Sequence, residues 1–151
     1  MKFYIQLVII LIVLGSLWFV LNKNQTPSFS EGKIQWINQF HEGLQLAKEQ
    51  KKPVLIFFSA SWCYWCRKLN QDVFMNDQVA SLSDSFITVL IDVDKHPEWA
   101  KKFNVRGVPD VYFIDHTGKK VIQYTGNRLP EDMLVQMRSA LEKLDTTSTN
   151  N

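Results

Sequence analysis

Apolar positions follow three rhythms along this chain. Residues 3–21 form one unbroken uncharged run, nearly all of it apolar. At about 1.5 Å per residue a helix of that run covers roughly 28 Å, close to the hydrocarbon thickness of a bilayer. Further on the rhythm turns helical: Phe40, Leu44 and Ala47 recur at helix spacing and predict an amphipathic helix over residues 39–50, with Asn38 as its N-cap. Trp36 is expected to anchor that helix, and "IQW" (34–36) to form a short strand. "PVLIFFSA" (53–60) and "FITVLIDVD" (86–94) are near-continuous apolar runs, too short for surface helices, and suit buried strands. Between them "CRKLNQDVF" and "NDQVASLSD" read as helical. Pro97 opens the short helix "PEWAKKF", and "NVRGVPD" is a loop. "VYFID", "HTGKK" and "VIQYTG" read as strand, turn and strand, with Gly118 in the turn. Pro130 opens a closing helix in which Met133, Leu134, Met137, Leu141 and Leu144 share one face.

This order predicts an α/β domain. The first helices supply crossovers for parallel strands, and the last two strands pair as a hairpin, so a small mixed sheet should carry helices on both faces. The chain divides into a transmembrane anchor (1–22), a polar tether (23–33), a single domain (34–144) and a loose tail (145–151). A retained anchor suits residues 3–21 better than a cleaved signal. Signal cores usually span about 7 to 15 residues and end at a small-x-small site, whereas this run ends in "LWFVLNKN". An N-terminal span followed by one domain places that domain outside the cytoplasm. The charge balance, 17 basic against 15 acidic residues, gives no nucleic-acid signal.

The candidate chemistry lies in "SASWCYWCRK" (59–68), which holds the only two cysteines, Cys63 and Cys66. A disulfide closing so short a loop removes little unfolded-chain entropy and is a poor staple. Zinc usually needs four ligands, and one cysteine pair supplies two; His41, His96 and His116 are isolated in sequence. A redox dithiol is favoured over metal binding or packing, and its context matters more than its spacing.

That context carries a resemblance. "PVLIFFSASWCYWC", then "VDKHPEWAKKFNVRGVP", "VYFID" with its GK turn, and the closing helix make residues 34–144 resemble the thioredoxin fold. The style of "KKPVLIFFSASWCYWCRKL" is similar to the thioredoxin-like domains of membrane-bound thiol:disulfide interchange proteins, above all the terminal periplasmic domain of the membrane reductase. The resemblance implies that Pro109 follows a cis bond and faces the dithiol, with Val108 presenting its backbone to a bound peptide. It makes Cys63, at a helix start, the attacking thiolate and Cys66 the resolving thiol. Trp62 shields and positions Cys63, while Tyr64 and Trp65 shape the surface and tune the potential. The implied function is a membrane-anchored reductase of protein disulfides, single-pass in the cytoplasmic membrane with its domain facing the periplasm or the exterior. Disulfide-bearing proteins would be its clients and a membrane or periplasmic donor its electron source; it would be a monomer without cofactor or metal. An oxidase or isomerase on the same fold is the near alternative, and a tethered module that binds clients without catalysis the distant one.

Two positions depart from the family pattern. Phe57 stands where many thioredoxins bury an aspartate, and Leu90 where its lysine partner would approach. The proton acceptor for Cys66 is then water, a partner group or Asp110. Asp110 could otherwise be a polar strand-start residue facing solvent. Asp92 and Asp94 are read as structural.

Overall fold

The computed structural model describes residues 32–125 and 129–148. The expected anchor and most of the tether lie outside them. Among the described residues no helix is long and apolar enough to cross a membrane.

The elements run α1 (Phe40–Gln50), β1 (Val54–Ser59), α2 (Tyr64–Leu69), a π-helical turn (Asn70–Phe74), α3 (Asp77–Ser83), β2 (Ile87–Asp92), α4 (Pro97–Phe103), β3 (Asp110–Ile114), β4 (Lys120–Thr125) and α5 (Pro130–Ser148). The strands form one mixed sheet in the order β2-β1-β3-β4. β1 pairs with β2 in parallel, and β3 lies antiparallel to both β1 and β4. This is the thioredoxin fold, and the expected hairpin and flanking helices are present.

β1 is buried along nearly its whole length because both faces are covered, which explains its continuous apolar run. Leu55, Phe57, Val111 and Phe113 point to one face, where they pack with Cys66, Leu69, Val79, Met133 and Met137 from α2, α3 and α5. Val54, Ile56, Phe58 and Tyr112 point to the other, against Phe40 and Ala47 of α1 and Phe103 of α4. Alternation along each strand sorts the side chains between these two cores.

Local chemistry sets the boundaries. Pro97 and Pro130 open α4 and α5 as expected. Asn76 caps α3, its side chain accepting the backbone N–H groups of Gln78 and Val79. In the β3–β4 turn, Gly118 takes φ +97°. The Asp115 carboxylate there accepts from the backbone of Thr117 and Lys119 and from the Thr117 hydroxyl. Burial works against the Asp115 charge, but these bonds prevail and hold its pKa below the usual carboxylate value.

Several expectations need correction. "IQW" is not a strand: only Ile37, one residue further on, makes a single bridge, to Val89. The N-cap of α1 is Gln39, not Asn38, and its side chain makes no capping bond. Trp36 does not anchor α1. It packs on the opposite face, with ring centroids 5.8 Å from Phe57 and 5.1 Å from Phe74. The closing helix continues to Ser148, so residues 145–148 are helical and not a loose tail. Asp, Thr and Ser are indifferent helix formers, but none breaks a helix as Pro does.

Candidate active site

The dithiol sits at the end of the sheet where β1 and β2 finish and β3 begins. β1 ends at Ser59; the chain turns through residues 60–63, closed by the Cys63 N–H donating to the Ala60 carbonyl at 3.1 Å. Cys63 is then the N-cap of α2, in extended backbone (φ −75°, ψ 102°). Its Sγ accepts the Cys66 backbone N–H at 3.0 Å. Cys63 and Cys66 are joined as a disulfide, with their Cα atoms 5.3 Å apart. The sulfur at position 63 thus occupies the place where a helix start stabilises negative charge.

Both cysteines are buried, but the three aromatic residues that flank them in sequence are not. Trp62, Tyr64 and Trp65 are 66%, 59% and 55% exposed. Tyr64 and Trp65 stack edge to face, with centroids 5.2 Å apart. Arg67 donates from Nη1 to the Ser61 carbonyl at 2.9 Å, bracing the turn from within the helix. Trp62 donates from its indole N–H to Asp94 Oδ2 at 2.8 Å. The backbone N–H of Asp94 is in turn held by Asp92 Oδ1 at 3.0 Å. Asp92 and Asp94 are structural as expected, but their structural role is at the site, since they fix the indole beside the dithiol. Sequence reasoning missed that link, because the two carboxylates lie some thirty positions from Trp62 and nothing local marks them. The only available signal is the strand order: Ser59 pairs with Asp92, which carries the end of β2 to the dithiol turn.

Val108 and Pro109 arrive from the other side. Phe58 pairs with Asp110, so the residues just before β3 lie alongside the end of β1. The Val108–Pro109 bond is cis. Pro109 is buried, and Val108 packs against the core cluster that contains both cysteines.

Asp110 does not join them. Val111, its neighbour on β3, faces the cysteines, so alternation turns Asp110 to the opposite face, with Phe58 and Tyr112. It is not a solvent-facing residue either: it is 1% exposed. Its carboxylate accepts from Gln123 Nε2 and Thr125 Oγ1, both at 2.9 Å. Burial pushes its pKa up, and these bonds offset the shift only in part. The sheet therefore stands between this carboxylate and the face that carries Cys66, which argues against the expected role as proton acceptor. On the cysteine face, Phe57 and Leu90 pair across β1 and β2 and both pack into the core with the dithiol, as the missing charged pair leads one to expect.

A thioredoxin fold with a Cys-x-x-Cys disulfide at a helix start defines a thiol-disulfide redox domain. The chain belongs to the thioredoxin-like domain family, whose pattern matches residues 40–141. It is 26% identical over 114 residues to the disulfide bond reductase DsbH of Chlamydia pneumoniae, covering 66% of this chain and 68% of that protein. It is 31% identical over 110 residues to the thiol:disulfide interchange protein DsbD of Vibrio vulnificus, covering 69% of this chain but only 18% of DsbD. Among solved structures, a thioredoxin from Thermus thermophilus superimposes with a TM-score of 0.69 at 23% identity, over 77% of this chain and 93% of that one. A DsbH oxidoreductase does so with a TM-score of 0.62 at 24% identity, over 79% and 92%.

Proposed function

We propose that this protein reduces disulfide bonds in protein clients outside the cytoplasm, through Cys63 and Cys66, while tethered to the cytoplasmic membrane by residues 1–22. The observation that carries the chemistry is the Cys63 Sγ at the helix start, accepting the Cys66 N–H. The same polarity favours a thiolate at Cys63 once the pair is reduced. The tether rests on the long uncharged run of residues 3–21. The direction of electron flow rests on the likeness to a disulfide bond reductase over two thirds of both chains.

In the reduced protein the Cys63 thiolate attacks one sulfur of a client disulfide. The client bond breaks, a mixed disulfide forms, and the first client sulfur leaves as a thiolate that takes a proton from solvent. Cys66, as thiolate, then attacks Cys63 Sγ. The mixed disulfide breaks, the client leaves with its second thiolate, and the Cys63–Cys66 disulfide forms. Two electrons have passed to the client. A membrane or periplasmic dithiol donor returns them by the reverse exchange. The proton of Cys66 goes to water or to a client group, a reading supported by the apolar core in which Cys66 sits.

Direction is tested by acid-trapping thiols in intact cells and measuring the pair's potential against a glutathione series. A mainly reduced pair with a potential near ~−270 mV is expected. A mainly oxidised pair near ~−120 mV, the range of strong oxidants, would reassign the protein as an oxidase.

A further inference from the structure

The loop that carries Val108 and Pro109 bridges a hollow. Asn104, Arg106, Gly107, Asp110, Gln123 and Thr125 line a space of about 320 Å³ on the face away from the dithiol. The loop is open at Gly107: a Cβ added there would meet no atom within 4 Å. Val108 and Pro109 pack on the core, and the open stretch before them is held at its two roots. The first root is the end of α4. There the Val105 N–H donates to the Ala100 carbonyl at 2.9 Å, and the Tyr112 hydroxyl donates to the Phe103 carbonyl at 2.7 Å. The second root is Asp110, immediately after Pro109. Its carboxylate ties the first residue of β3 to β4 through Gln123 and Thr125. Hydrogen bonds to a buried carboxylate are stronger than neutral ones, and removing the acceptor strands the donors.

We propose that Asp110 is a positioning residue for client binding: it holds the Val108–Pro109 loop at the mouth of the dithiol without contacting the reacting sulfurs. This rests on the oxidoreductase reading above. It also gives the buried carboxylate a role that proton transfer to Cys66 does not. A protein client spans the loop and the dithiol together, whereas a small disulfide needs only the sulfurs. Loss of the clamp therefore weakens the first kind of substrate and spares the second.

The test uses the full chain, with insulin and hydroxyethyl disulfide as alternative substrates. For Asp110→Ala, KM for insulin should rise about five- to tenfold with kcat nearly unchanged, equivalent to about one ordinary hydrogen bond. Hydroxyethyl disulfide should be reduced at the wild-type rate. Asp110→Asn should recover part of the loss, because its carbonyl still accepts the Thr125 hydroxyl. Gln123 and Thr125 are exposed, so Thr125→Val and Gln123→Ala decide the matter if Asp110→Ala fails to fold; each should raise KM about two- to threefold. Wild-type KM in Asp110→Ala, or in both exposed variants, would overturn the proposal. So would equal losses on insulin and hydroxyethyl disulfide, which would place Asp110 in the thiol chemistry or in general stability. Wild-type protein that reduces neither substrate would sink the oxidoreductase reading, and this inference with it.

Discussion

The two faces of the sheet handle polarity in opposite ways. On the dithiol face, Phe57 and Leu90 pair across the parallel strands, and Trp36 and Phe74 close over Phe57. On the other face, one strand away, Asp110 and Tyr112 are buried, Asp110 opposite Phe58 and Tyr112 against the rings of Phe58 and Phe103. Both arrangements are internally consistent. An apolar core needs no partners, and a buried carboxylate is tolerated where donors meet it. The contrast teaches that charge is kept beside the Val108–Pro109 loop and off the face that carries Cys66.

The largest expected effect comes from reversing that partition. Phe57→Asp puts a carboxylate among apolar side chains and should cost about 4 kcal/mol at neutral pH, from lost packing together with desolvation. Burial raises the pKa of such a group above its unfolded value. Part of the penalty is therefore absent at low pH, where the acid is neutral, and grows as pH rises through the folded pKa. Denaturant midpoints across pH would show this. A cost that does not vary with pH would mean that water reaches position 57.

Tyr112→Phe probes the polar face. Deleting the hydroxyl that bonds Phe103 should cost about 1 kcal/mol. Burial first, then the nearby charge of Asp110, raises the pKa of Tyr112 from 10.0 to about 12. The raised value favours the neutral phenol in the folded state. Its contribution is complete below pH 10 and is lost as pH climbs from 10 to about 12. The stability gap between wild type and Tyr112→Phe should accordingly stay constant below that window and close within it. An alkaline limb identical in both proteins would contradict the burial of this phenol. The smallest effect should come from Asp94→Ala. This exposed contact is worth no more than about 0.5 kcal/mol, yet the Trp62 indole N–H should exchange faster with solvent. Unchanged exchange would mean that Asp94 does not hold the ring.

Much of this contrast was legible in the sequence, and the parts that were not share a cause. The apolar runs at 53–60 and 86–94 announced doubly covered strands. Pro97 and Pro130 marked helix starts, and Phe57 with Leu90 foretold an apolar dithiol face. Each of those signals is local, or compares a position with a family pattern. The sidedness of Trp36 and Asp110 is not local. It depends on strand register and on which helix covers which face, and a one-residue difference turns a side chain to the other side. Asp110 read as a strand-start polar group because its donors, Gln123 and Thr125, lie on the next strand. The π-helical turn at Asn70–Phe74 was simply read as continued helix, since apolar spacing does not separate the two over five residues.

The most direct test of the account traps its intermediate. Full-length Cys63→Ser and Cys66→Ser variants are expressed in the native cell, thiols are quenched with acid, and mixed disulfides are resolved on non-reducing gels. The helix-start position of Cys63 predicts client adducts in Cys66→Ser, through Cys63, and few or none in Cys63→Ser. Adducts that accumulate through Cys66 in Cys63→Ser, and not in Cys66→Ser, would reverse the two roles and contradict the account.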